Sequence, residues 1–91
     1  MTAVVDQDQT VKGIFTDGDL RRLVEKGLDL RRLTARDVMH PRPRIIRHDA
    51  LAEEAAELME QHRITSVLVV DGQERLCGAV NSNDLMRAKV I

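Results

Sequence analysis

Tryptophan and tyrosine are absent from this chain, and Phe15 is its single aromatic residue. Proteins that hold single-stranded nucleic acid stack bases on aromatic side chains, so that class of platform is excluded and any bound base must sit between aliphatic groups. Cysteine is nearly absent too. Cys77 has no partner for an intramolecular disulfide and no second ligand at metal-binding spacing, so it reads as a reduced, half-buried strand residue, which points to the cytoplasm. No apolar run approaches the roughly 18 residues of a membrane span. The N-terminus also lacks the charged-then-apolar pattern of a secretion signal. The formal net charge of −1 gives no global field for a nucleic-acid backbone or an anionic membrane, and neither partner is expected.

What is present is globular in character. Of 91 residues, 43% are hydrophobic and 32% charged, enough apolar surface to fold, and the length fits one small domain with none to spare for a second core. The dominant feature is an internal repeat. Val4-Val5-Asp6 recurs as Val69-Val70-Asp71, an offset of 65 that continues without a gap for nineteen residues. Seven positions are identical, among them Gly13/Gly78, Asp19/Asp84, Leu20/Leu85 and Arg22/Arg87. Such self-similarity marks a repeated supersecondary unit. The second copy starts near Thr34, so the first is expected to be truncated by about thirty residues ahead of Met1.

The periodicities predict an α/β chain. Ala3 to Asp6 and Val11 to Thr16 form a hairpin. A helix carrying Asp19, Leu20, Leu23 and Val24 follows, capped by Thr16 or Asp17 and stopped at Gly27. After a connector from Leu28 to Leu33, Thr34-Ala35-Arg36-Asp37 opens a short helical turn that ends before Pro41. Arg44 to Arg47 reads as a strand. Asp49 is expected to cap a helix with Leu51, Ala55, Leu58, Met59 and His62 on its apolar stripe and Glu53, Glu54, Glu57 and Glu60 on a solvated face. Ser66 to Val70 and Leu76 to Asn81 repeat the hairpin, and Asp84 to Lys89 repeat the helix. The full unit is β-α-β-β-α. The basic residues Arg42, Arg44 and Arg47 beside His40 and His48 read as a solvated connector.

Two segments could carry chemistry. In Gly13-Ile14-Phe15-Thr16-Asp17-Gly18-Asp19, Thr16 and Asp19 form either a plain capping box or a carboxylate that accepts ribose hydroxyls at a helix N-terminus, with Asp17 as a further carboxylate. In His62-Arg63-Ile64-Thr65-Ser66, the two cations either stabilise a helix C-terminus or hold a phosphate, arginine as a fork and histidine as a titratable donor. There is no nucleophile with a positioned base, no metal-ligand cluster and no glycine-rich phosphate loop, so an independent enzyme is not expected.

The tandem β-α-β-β-α unit ending in Gly-h-h-Thr-x-x-Asp, where h is hydrophobic, resembles the CBS domain family. The resemblance implies tandem CBS repeats, the first lacking its first strand and helix. Residues 1–27 are then the second half of repeat one, 28–33 the connector and 34–91 repeat two. It also implies a ligand bound between repeats, met by Thr16, Asp17 and Asp19 and by His62, Arg63, Thr65 and Ser66. Repeat two has Asn81 where the family motif has threonine or serine, which leaves Asn81 and Asp84 as a doubtful second site. The longer string from Gly13 to Arg22, followed by Asp37-Val38-Met39 and Ile64-Thr65, resembles the D-arabinose 5-phosphate isomerase family, where a sugar isomerase domain precedes the CBS pair. That implies a non-catalytic regulatory segment needing no cofactor, forming homo-oligomers through its helices. AMP, ATP or the nucleotide sugar CMP-Kdo are the implied regulatory ligands, and a structural oligomerisation module without a small ligand is the alternative.

Overall fold

Two hairpins recur 65 positions apart, and the same carboxylate builds both turns. In the first, β1 (Thr2–Val5) pairs antiparallel with β2 (Val11–Phe15). Asp6 Oδ1 accepts from the backbone N–H of Asp8 at 2.9 Å and of Thr10 at 3.0 Å. In the second, β5 (Ser66–Val70) pairs with β6 (Leu76–Asn81), and Asp71 Oδ1 accepts from Gln73 at 2.8 Å and Arg75 at 3.0 Å. Each turn places one residue in left-handed backbone, Gln9 at φ 69° and Glu74 at φ 62°. An aspartate that bonds its own turn is the physical reason the repeated Val-Val-Asp ends each strand.

A computed structural model describes residues 1–89. Val90 and Ile91, the last residues of the expected second repeat, lie outside the described residues. The chain divides into two compact units, Met1–Pro43 and Arg44–Ile91.

In the first unit, helix α1 (Asp17–Glu25) follows β2 and is capped by Thr16. Its end is marked by Gly27 at φ 72°, the left-handed conformation glycine adopts without steric cost. The stretch expected to be a connector contains one turn of 3-10 helix, Leu30–Arg32, started by Asp29. Helix α2 (Ala35–Val38) begins with the expected box between Thr34 and Asp37. The chain then does something the prolines conceal: His40–Pro41 forms β3, which adds to β2 and gives a sheet of order β1-β2-β3. Gly13 on β2 makes this possible. A Cβ there would lie 2.6 Å from the His40 carbonyl oxygen and 2.6 Å from Met39 Sδ.

The second unit has the complete β-α-β-β-α order. Strand β4 (Ile45–Arg47) runs parallel to β5 and is joined to it by α3 (Ala52–His62); β6 completes the sheet β4-β5-β6, and α4 (Ser82–Arg87) follows. Ala55 and Met59 of α3 pack with Val67 and Leu85 into a buried cluster, flanked by Ile46, Leu58, Ile64 and Val80. Glu53, Glu54, Glu57 and Glu60 are exposed, as the helical period requires.

Three expectations are corrected here. Asp49 does not cap α3. The helix starts at Ala52 with extended Leu51 as its cap residue and no side-chain bond, which puts Asp49 too early to reach a free N–H; it pairs with Arg47 at 3.2 Å instead. Leu51 is 66% exposed rather than part of the apolar stripe, because its backbone is not yet helical. Cys77 is exposed, since it lies on the outer strand β6, with its thiol 3.5 Å from the Val69 carbonyl.

Candidate functional site

The residues singled out around Gly13 to Asp19 converge on one carboxylate. β2 ends at Phe15, the chain turns at Thr16 in extended conformation, and α1 places Asp19 at its third position. Asp19 is buried, and it is the buried charged residue of the described chain. Its Oδ2 accepts from the Thr16 N–H at 2.8 Å and the Thr16 hydroxyl at 2.9 Å. The Thr16 Oγ1 in turn accepts from the Asp19 N–H at 3.2 Å, which closes the capping box. On the other side, Oδ1 accepts from Arg22 Nη2 at 2.6 Å and lies 2.7 Å from His40 Nε2. Burial pushes the Asp19 carboxyl up, but the Thr16 N–H, the Arg22 guanidinium, the Thr16 hydroxyl and the His40 charge outweigh it and hold the group below the usual carboxylate range. Asp17, in the same turn, is exposed.

His40 is the participant that reasoning from the sequence missed. The sequence places it in a solvated basic connector, yet β3 carries it to Asp19. Nothing in local spacing links positions 19 and 40.

The second unit holds the other candidates. His62 closes α3, and Arg63 stands beyond it in left-handed backbone at φ 53°, ψ 45°. Its N–H and that of Ile64 reach back to the carbonyls of Glu60 and Met59. A non-glycine residue there costs about 1 kcal/mol. Arg63 is exposed and His62 half-buried. The carbonyl of Thr65 accepts from the Ser82 N–H at 2.9 Å, and Ser66 stands opposite Asn81 across the sheet. Thr65 and Ser66 therefore adjoin the residues expected as a second site. Asn81 caps α4 and shares a capping box with Asp84, so asparagine does here what Thr16 does in the first unit. Asp84 is also bound by Arg87. The Asn81 N–H, then Arg87, hold its carboxyl below the usual range. Asp84 differs from Asp19 in exposure, with 38% of its side chain accessible against 7%.

A groove of about 450 Å³ in the second unit is lined by Glu53, Ala56, Glu57, Met59, Glu60, Ile64 and Ser82. Its three carboxylates suit no phosphate. No helix among the described residues is long and apolar enough to cross a membrane.

The family model of the CBS domain matches residues 35–91, which hold the second copy of the hairpin-helix unit and its capped Asp84. The chain belongs to the CBS domain family. Among characterised proteins it is similar over all 91 residues to the arabinose 5-phosphate isomerase KdsD of Pseudomonas aeruginosa, with 44% identity, and to that of Escherichia coli strain K12, with 46%. It spans only 28% and 27% of those proteins' lengths. Solved structures similar to it include CBSX2 in complex with AMP, at TM-score 0.79 and 27% identity, covering 97% of this chain and 69% of that one. The CBS domain pair of MJ0100 in complex with 5-methylthioadenosine and S-adenosylmethionine matches at TM-score 0.82 and 25% identity, covering 96% and 70%. The cytosolic domain of the magnesium channel MgtE in complex with ATP matches at 0.79 and 31%, covering 94% and 32%.

Proposed function

We propose that this chain is the regulatory CBS module of a D-arabinose 5-phosphate isomerase, the enzyme that interconverts D-ribulose 5-phosphate and D-arabinose 5-phosphate for Kdo and lipopolysaccharide synthesis in the cytoplasm. The observation that carries this reading is 44–47% identity over the whole chain to proteins of that name. The module itself is non-catalytic, and the chemistry belongs to an attached sugar isomerase domain. Residues 1–27 serve as the second half of repeat one, 28–33 as the connector and 34–91 as repeat two; the family match beginning at Ala35 supports this division.

In this reading the module senses a nucleotide or nucleotide sugar. Thr16 and Asp19 receive ribose hydroxyls, with Asp17 beside them, and His62 and Arg63 take phosphate, with Thr65 and Ser66 as further donors. Support comes from relatives solved with AMP, ATP and S-adenosylmethionine. Asn81 and Asp84 form a weaker second site. Ligand binding acts on the isomerase by differential affinity for two states. Calorimetric titration of the full-length protein with AMP, ATP and CMP-Kdo tests this. Heat with one of them, lost in Asp19→Ala and Arg63→Ala, is the expected result; no heat with any sinks the sensing role.

One observation favours a second role as an oligomerisation module. Leu20 at 40% and Val24 at 60% exposure lie on α1, an apolar face that self-association would cover. Light scattering on the full-length protein with and without this segment tests it, with a reduced subunit count as the expected outcome.

A further inference from the structure

We infer that the chain self-associates through two complementary faces, the acidic groove on α3 of one copy receiving the basic, apolar face of α1 from a second copy. The inference rests on the oligomerisation role proposed above and names the surfaces that carry it.

The groove is lined by Glu53, Glu57 and Glu60, which the helical period sets on one face of α3, and by the apolar Ala56, Met59 and Ile64. From Ala52 to His62 the helix contains no lysine or arginine. Glutamates three and four positions apart on a helix repel one another. Among the described residues no ion pair reaches Glu53, Glu57 or Glu60 to relieve that repulsion. The aspartates are served differently, since Asp6, Asp19, Asp29, Asp49, Asp71 and Asp84 each have a basic partner. An apolar centre inside a charged rim is the anatomy of a protein interface, and a negative rim fits a cationic, apolar partner.

The first unit presents that chemistry. Leu20 and Val24 of α1 and Leu28 just beyond it are 40%, 60% and 46% exposed. From Leu20 to Arg36 six basic residues stand against two acidic ones, Glu25 and Asp29. Arg22 is committed to Asp19, and Arg31 and Arg32 to Asp29. Arg21 and Lys26 are exposed and enter no ion pair among the described residues. Arg21 adjoins Leu20 and lies three positions before Val24, so it borders the apolar stripe; Lys26 stands at the end of the helix. Two copies that exchange these faces about a twofold axis satisfy both contacts at once. The leucines and the valine supply buried area, and the charges select which face meets which.

Charge reversal on each face, with complementation, tests the pairing. Sedimentation velocity on the 91-residue chain should show a concentration-dependent dimer for wild type. Glu57→Lys with Glu60→Lys in one variant, and Arg21→Glu with Lys26→Glu in another, should each dissociate about 10-fold more readily, since every reversed charge then meets its like in both contacts. An equimolar mixture of the two variants should recover wild-type association, because each lysine-bearing groove then meets a glutamate-bearing helix, and each native groove a native helix. Recovery in the mixture also establishes that both variants are folded, which far-UV circular dichroism checks independently. A wild-type dimer unmoved by either reversal, or variants no tighter together than apart, overturns the pairing and leaves oligomerisation to another surface. A wild-type chain that stays monomeric at millimolar concentration overturns the pairing and the oligomerisation role together.

Discussion

Gly13 and Gly78 occupy equivalent places in the repeat and have unequal jobs. A methyl group at Gly13 would collide with the His40 carbonyl and with Met39 Sδ, both at 2.6 Å, whereas at Gly78 its nearest neighbour would be Val69 Cβ at 3.9 Å. Gly13→Ala should cost about 1–3 kcal/mol in urea denaturation, while Gly78→Ala should stay within about 0.5 kcal/mol. Arg63 presents the reverse situation. Replacing it with glycine relieves left-handed strain, so Arg63→Gly should stabilise the fold by up to about 1 kcal/mol in the same assay and weaken nucleotide binding. A stabilised protein with unchanged nucleotide affinity would remove Arg63 from the site. The identity of Gly13 as scaffold was readable from the repeat, but the strand it admits was not, because the two-residue β3 has too few positions to show a period and includes a proline.

At the scale of elements, the capping boxes explain why Thr16-x-x-Asp19, Thr34-x-x-Asp37 and Asn81-x-x-Asp84 recur. Each cap residue receives the third N–H of its helix, and each aspartate receives the cap's N–H. Thr16→Ala should lower stability by about 1 kcal/mol through loss of this cap. These boxes were legible because they are local, confined to four consecutive residues. The start of α3 was not. An aspartate at position 49 looks like a cap, yet Ala50 N–H bonds back to Arg47 and forms a turn before the helix begins. The core side of α3 did follow its period: Met59→Ala, which empties the cluster with Val67 and Leu85, should cost about 2–5 kcal/mol. Leu51→Ser, at an exposed position, should be close to neutral.

At the scale of the molecule, folding depends on aspartates held ionised by backbone donors. Asp6 is bonded by Thr10 and Asp8, Asp37 by Thr34, Asp71 by Arg75 and Gln73, and Asp19 and Asp84 by their boxes; all five carboxyls are held below their ordinary value. The unfolded chain therefore takes up protons at higher pH than the folded one. The stability these groups contribute is complete above the unfolded carboxylate value near pH 4 and disappears as pH falls through their lower folded values. Urea midpoints flat from pH 7 to 5 and falling steadily below about pH 4 are the expected profile.

Local chemistry in the sequence determined the hairpins, the capped helices and the β-α-β-β-α order, because each depends on residues a few positions apart whose bonding options are few. The family, too, was readable from the repeat and from the Gly13 to Asp19 motif. Tertiary structure alone decided which side chains meet across distance: that β3 lies against Gly13, that Cys77 faces solvent from an outer strand, and that His40 reaches Asp19 at 2.7 Å. A histidine and an aspartate twenty-one residues apart carry no local sign of contact. Only the pairing of two strands brings the imidazole to the carboxylate.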